Sequence, residues 1–238
     1  MIRFILLNAF IAIHTIIMSL FGLFISIFDR TGRRVHMYCA SPWAKAILWV
    51  CGVRVEIRGL DRIKDVDRGI YMANHQSIFD IFTLLACLPV DFKFVLKKEL
   101  MKLPFLGVAM RRARYISIDR ENPRNAVKSM NEAAEKIKNG ASVLIFPEGT
   151  RSLDGRLQEF KNGGFHLAIK SHCDIVPVAI VGSHLVVPKG SLRIKKGTIK
   201  MNIGRPISTD NYLKKDMNQL MSQVREALIN EMKESRIS

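Results

Sequence analysis

The chain divides by hydropathy pattern into three stretches. Residues 4–28 carry no charge and only scattered polar side chains, Asn8, His14 and Ser19 among them. As one helix, the 25 residues rise about 37 Å at 1.5 Å each, which exceeds the roughly 30 Å hydrocarbon core of a bilayer. A basic loop with Arg30, Arg33 and Arg34 follows, then an apolar run over 44–53 too short to span. From residue 53 the pattern changes to short β-rich runs alternating with helical ones. Strands are predicted over 54–58, 69–73, 93–96, 115–118, 142–146 and 175–181. A hairpin is predicted from 192–194 and 198–203, joined through Lys195-Lys196-Gly197. Asn122 and Pro123 cap and start a helix whose face carries Ala126, Met130, Ala133, Ala134 and Ile137, and Gly140 stops it. An apolar helix is expected over 78–88 and a short one over 164–171. The C-terminus repeats Leu213, Met217, Leu220, Met221, Val224, Leu228 and Met232 at helical spacing, which predicts an amphipathic helix packed on the sheet.

This alternation indicates an α/β domain with a mixed, largely parallel sheet sandwiched by helices. Without repeats, low-complexity tracts or linkers, the expected division is an N-terminal membrane-associated segment, 1–52, and one catalytic domain, 53–238. The long apolar helix reads as a membrane element rather than a cleaved signal peptide, whose apolar core is shorter. Either it crosses the bilayer, with the arginines holding its C-terminal end in the cytoplasm, or it forms with the next apolar run a helix pair in one leaflet. A buried core helix is the third reading.

Charge narrows the partners. Lys and Arg outnumber Asp and Glu by 37 to 21, a formal net charge of +16, which favours anionic partners. Basic residues are spread along the chain with no nucleic-acid-binding motif. Beside the apolar N-terminus, membrane lipid fits better than nucleic acid. The four cysteines, Cys39, Cys51, Cys87 and Cys173, show no paired spacing, so neither a disulfide framework nor a zinc site is expected. The expected location is the inner, cytoplasmic membrane, with the catalytic domain facing the cytoplasm.

Candidate chemistry concentrates at two strand ends. Asn74-His75-Gln76-Ser77-Ile78-Phe79-Asp80 joins a strand to a helix, and the carboxyl ends of strands are where open α/β sheets build sites. His75 can serve as a general base with Asp80 fixing its tautomer. A plainer reading makes Ser77 a helix cap with Asp80 as its acidic N3 partner. The second stretch, Phe146-Pro147-Glu148-Gly149-Thr150-Arg151-Ser152, also follows a strand. It offers backbone N–H groups and a carboxylate able to bind a hydroxyl, and arginine's planar fork suits phosphate. No Gly-x-Ser-x-Gly elbow is present, so nothing here calls for a covalent serine intermediate.

These stretches, with Tyr115-Ile116-Ser117-Ile118-Asp119-Arg120 and Ile175-Val176-Pro177-Val178-Ala179, resemble the four ordered blocks of the glycerophospholipid acyltransferases, over about residues 50–205. The chain is most similar in wording to the 1-acylglycerol-3-phosphate acyltransferases. The resemblance implies transfer of a fatty acyl chain from acyl-CoA or acyl-carrier protein to the sn-2 hydroxyl of lysophosphatidate, without metal or bound cofactor. It assigns His75 and Asp80 to catalysis, and Asn74, Arg120, Glu148, Gly149, Thr150 and Arg151 to the acceptor. Lys97, in better register than Lys98, joins the phosphate site, and Pro177 falls on the acyl-donor side. For Pro177 an edge-strand proline is an equal reading. The resemblance also favours the one-leaflet helix pair. The alternatives are an acyltransferase for another lysolipid or for glycerol 3-phosphate, and a non-enzymatic membrane protein that binds anionic lipid or nucleic acid.

Overall fold

The computed structural model of the protein describes residues 1–119 and 123–237. Arg120 and the cap Asn122 lie outside the described residues. Seven strands form one sheet among the described residues: β1 (Val53–Arg58), β2 (Ile70–Ala73), β3 (Phe92–Lys97), β4 (Ile116–Ile118), β5 (Ser142–Ile145), β6 (Ile175–Val181) and β7 (Gly197–Ile203). Their order is β1-β7-β6-β2-β5-β3-β4. Every neighbouring pair is parallel except β6 with β7, so the sheet is mixed and largely parallel, as expected.

The helices are α1 (Ile2–Ser26), α2 (Arg33–Val35), α3 (Ser41–Cys51), α4 (Phe79–Cys87), α5 (Leu106–Arg112), α6 (Pro123–Lys138), α7 (Gly163–Ser171), α8 (Ser183–Val186) and α9 (Met217–Ile237). They cover both faces of the sheet, which is why the central strands read as unbroken apolar runs. Period-2 alternation sorts each strand between two cores. Tyr71, Leu144, Val176, Val178 and Ile180 face the side that holds α3 and α4. Ile70, Met72, Val143, Ile145 and Ile175 face α6, α7 and α9.

Two expectations need correction. Residues 192–194 form no strand and there is no hairpin. Both edges of β7 are already taken, by β6 and by β1, so no ladder remains for 192–194 to join. The second N-terminal helix also starts earlier than its apolar run suggests. It begins at Arg33 and continues through a π-turn, His36–Ala40, into α3. Asp29 makes this start possible, because its carboxylate accepts the N–H groups of Thr31, Gly32 and Val35. Those are donors that a helix start leaves unpaired.

The π-turn carries a buried polar pair. His36 Nδ1 lies 3.0 Å from the Tyr115 hydroxyl, and its ring meets Phe92 edge-on. Burial pushes the His36 imidazole down from 6.5 to about 4, the Asp91 carboxylate opposing and Lys93 assisting. Above pH 6.5 the ring is neutral folded or unfolded, and this group makes stability independent of pH. Between 6.5 and 4 the unfolded chain takes up the proton first, so stability falls with pH, in all by about 3 kcal/mol. Denaturant titrations across this range should show that slope, and His36→Gln should flatten it.

Candidate active site

The carboxyl ends of β2, β3, β4 and β5 lie along one edge of the sheet, since these strands run parallel. His75 emerges just beyond β2. Its Nδ1 sits 2.8 Å from Asp80 Oδ2 in the first turn of α4. The same oxygen accepts the N–H groups of Gln76 at 2.6 Å and Ser77 at 2.8 Å. One fully buried carboxylate therefore holds both the His75 ring and the backbone ahead of α4. With Nδ1 committed to Asp80, Nε2 is the nitrogen left for chemistry. The ring is stacked on Phe146, centroids 3.9 Å apart, which fixes its plane.

The second loop holds the first. Glu148 is buried, and its Oε1 accepts the His75 N–H at 2.6 Å while Oε2 accepts the Gln158 N–H at 2.8 Å. Burial raises this carboxyl above its ordinary value, and the two N–H donors offset only part of the rise. The Ser152 N–H donates back to the His75 carbonyl at 2.7 Å. Gly149 turns the chain at φ 73°, a conformation that side chains disfavour.

A cavity of about 560 Å³ reaches this junction. It is lined mostly by apolar groups, including Ile11, Met18 and Gly22 of α1 and Trp43 of α3. Its polar lining includes His75, Lys97, Thr150 and Arg151, and exposed Lys97 and Thr150 mark the end that opens to the surface. The cavity thus brings the His75 ring, an apolar lining and the two cations Lys97 and Arg151 together. The sequence profile described as Acyltransferase matches residues 54–181, which contain both loops. The chain belongs to the glycerophospholipid acyltransferase family.

Its relatives carry consistent names. A 1-acyl-sn-glycerol-3-phosphate acyltransferase of Limnanthes douglasii is 36% identical over 191 residues, covering 80% of this chain and 67% of that protein. One from Limnanthes alba is 41% identical over 167 residues, 70% of this chain and 59% of the relative. The chain thus spans between 59% and 67% of the length of these two relatives. The crystal structure of the 1-acyl-sn-glycerophosphate acyltransferase PlsC from Thermotoga maritima superposes with a TM-score of 0.85 at 26% identity, covering 100% of this chain and 96% of that one.

In this chain the expected site residues are only partly brought together. His75, Lys97, Gly149, Thr150 and Arg151 line the cavity together. Asn74 and Glu148 do not line it, and their side-chain polar atoms are engaged by backbone groups. The Asn74 amide exchanges two hydrogen bonds with the Ile180 backbone, at 2.8 and 2.6 Å, and extends the β2–β6 ladder beyond its last pair. Glu148 is occupied by two backbone donors, as above. Pro177 sits neither at the cavity nor on an edge strand. It lies buried in central β6 opposite Met72, where the β7 ladder has already ended.

Sequence reasoning missed the residues that clamp the two loops. Gln76 bridges the Gly155 carbonyl, at 2.9 Å, and the His184 ring, at 3.1 Å. Ser77 Oγ donates to the Val187 carbonyl at 2.7 Å, so it is buried and engaged. Two residues on, Lys189 Nζ donates to the Arg151 carbonyl at 2.8 Å and to Thr150 Oγ1 at 3.3 Å. No motif marks Lys189, because its meaning depends on a loop 39 residues away. Losing this tether removes roughly 0.5–1.5 kcal/mol of loop positioning. Lys189→Met should therefore raise the acceptor KM by about 3–10-fold with a smaller change in kcat, as read by steady-state assays.

Proposed function

We propose that this enzyme transfers a fatty acyl chain from acyl-CoA or acyl-carrier protein to the sn-2 hydroxyl of lysophosphatidate, giving phosphatidate. The observation that carries the proposal is the His75–Asp80 pair where the apolar cavity meets Lys97, Thr150 and Arg151. His75 Nε2 takes the hydroxyl proton as the oxygen attacks the thioester carbonyl, and Asp80 steadies the imidazolium. The tetrahedral intermediate collapses, the C–S bond breaks, and the leaving thiolate recovers the proton from His75. Lys97 and Arg151 counter the acceptor phosphate, and Arg120 joins them in this proposal. Engagement of the Ser77 hydroxyl with Val187 supports direct transfer, with proximity supplying much of the rate.

Residues 1–52 are proposed as the membrane-facing part, lying in one leaflet at the cytoplasmic side of the inner membrane, with residues 53–238 as the catalytic part. α1 is long and apolar enough to cross a membrane, yet it rests on the protein along its length. Arg3 donates to the Cys51 carbonyl, Asn8 to the Leu192 carbonyl, and Thr15 accepts from Trp43 Nε1, while Gly22 lies against Val35 and Cys39. A crossing orientation would drag those partners into the bilayer. Its other face presents Ile13, Ile17, Leu20 and Phe24 outward, as a helix lying in a leaflet does.

The test is acyl transfer by purified protein in vesicles. Lysophosphatidate, a neutral-headed lysolipid and glycerol 3-phosphate are offered in turn, with each acyl donor. Phosphatidate formed from lysophosphatidate, with little product from the other acceptors, is the expected result. Equal use of the neutral-headed lysolipid would overturn the substrate assignment.

A further inference from the structure

The turn that joins β3 to α5 has a surface that folding alone does not explain. Residues 97–105 are exposed throughout except at Met101. Three of them are large and apolar: Leu100, Leu103 and Phe105, at 40%, 43% and 44% exposure. Lys97, Lys98 and Lys102 stand among them with one acid, Glu99. The segment is firmly built. Gly107 N–H donates to the Leu103 carbonyl at 2.8 Å, Ala109 N–H to the Phe105 carbonyl at 3.0 Å, and Arg111 to the Met101 carbonyl. A Cβ at Gly107 would sit 2.3 Å from the Met101 oxygen, so only glycine allows the turn to fold back this closely. Phe105 occupies φ 58°, ψ −62° in a γ-turn closed by Leu106 N–H on the Pro104 carbonyl at 2.6 Å. Glycine would relieve the strain there, yet the position holds an exposed aromatic ring.

Leu100 and Leu103 belong to two surfaces at once, being exposed and lining the cavity beside Lys97. The facing wall of the cavity is α1, which packs against α5 and turns its own apolar side chains outward. Exposed apolar side chains therefore stand on both α1 and the turn, two elements that line one cavity, with lysines at the turn.

We infer that the turn over residues 100–105 is a second membrane-contacting element, whose partner is an anionic lipid surface. Leu100, Leu103 and Phe105 enter the leaflet that receives α1, and Lys102 meets headgroup phosphates, while Lys98 donates to Asp119 at 3.1 Å beside them. The cavity then opens between two inserted elements, and an acceptor's acyl chain passes into it without crossing water. This inference rests on the one-leaflet reading of α1 given under Proposed function.

The test uses an environment-sensitive NBD label on Leu103→Cys, on Ile17→Cys in α1, and on Lys138→Cys in α6 on the opposite face of the sheet, each checked for acyl transfer. The native cysteines are buried or half-buried, so labelling favours the introduced thiol. On vesicles containing phosphatidylglycerol, the labels at 103 and 17 should brighten severalfold, shift to the blue and be quenched by doxyl lipids, while that at 138 stays aqueous. Phe105→Ser should weaken vesicle binding by about tenfold and leave turnover of a short-chain, water-soluble lysophosphatidate unchanged. A label at 103 that stays aqueous while that at 17 inserts overturns this inference and spares the α1 reading. Both staying aqueous overturns both. Insertion with no dependence on anionic lipid removes the headgroup contact. A change at 103 in the absence of vesicles, tracking self-association, would replace the lipid surface with a second copy of the chain.

Discussion

Replacing His75 with alanine will lower kcat by about 10²–10⁴-fold and leave the acceptor KM nearly unchanged. The structure separates the ring's role from the loop's. Asp80 keeps its bonds to the N–H groups of Gln76 and Ser77, and the backbone of residue 75 keeps Glu148 and Ser152 as partners. The variant should therefore fold, with a melting temperature close to wild type, and retain its cavity and cations. Under the proposed mechanism, what it loses is the proton acceptor. Residual turnover measures positioning alone. Coenzyme A release followed over a substrate series, beside thermal melts, checks both halves. A folded variant with full kcat would mean that His75 is a loop residue and the proposed mechanism is wrong.

Glu148→Ala should cost stability as well as rate. The substitution strips acceptors from two backbone N–H groups, those of His75 and Gln158, around a carboxylate that is 3% exposed. Leaving a buried donor unpaired costs about 1–3 kcal/mol, so the pair costs about 2–6 kcal/mol. For a chain of this size that lowers Tm by roughly 5–20 °C. The rate should fall further than the melt suggests, since the lost anchor is the one that places His75 itself. Glu148→Gln keeps one carbonyl acceptor but turns an amide NH₂ toward the other donor, so an intermediate Tm is expected. A glycerol-binding role for Glu148 predicts a different pattern, a raised KM at unchanged Tm. Melts and kinetics on the two variants tell them apart.

The features legible in the sequence are those written locally. His75 and Asp80 meet because five residues span a loop and the first turn of a helix. Strands β2, β5 and β6 announce themselves because burial on both faces demands continuous apolar residues. The features that escaped depend on partners far along the chain. Residues 192–194 look like a strand in isolation and fail only because β1, 144 residues before Thr198 at Arg54 (198 − 54), occupies the edge that they would need. Glu148 and Asn74 are polar residues in functional motifs, and nothing nearby reveals that backbone groups 73 and 106 residues away already claim them. Arg33 and Arg34 look like a loop until Asp29 is seen to close the turn before them. Lys189 has no signal at all until Thr150 and Arg151 come to rest beside it.

The pairing of β1 with β7 alone has a consequence for synthesis. β1 is an edge strand, and its one neighbour in the sheet is made 144 residues later (198 − 54). At about 5–20 residues per second the ribosome needs roughly 7–30 s to deliver it. During that interval α1 and α3 have left the exit tunnel with no finished domain to rest on. Their apolar faces will meet lipid, a chaperone or another nascent chain first. On the one-leaflet reading proposed above, that first contact is lipid, and the last strand to arrive closes the sheet on a chain already moored.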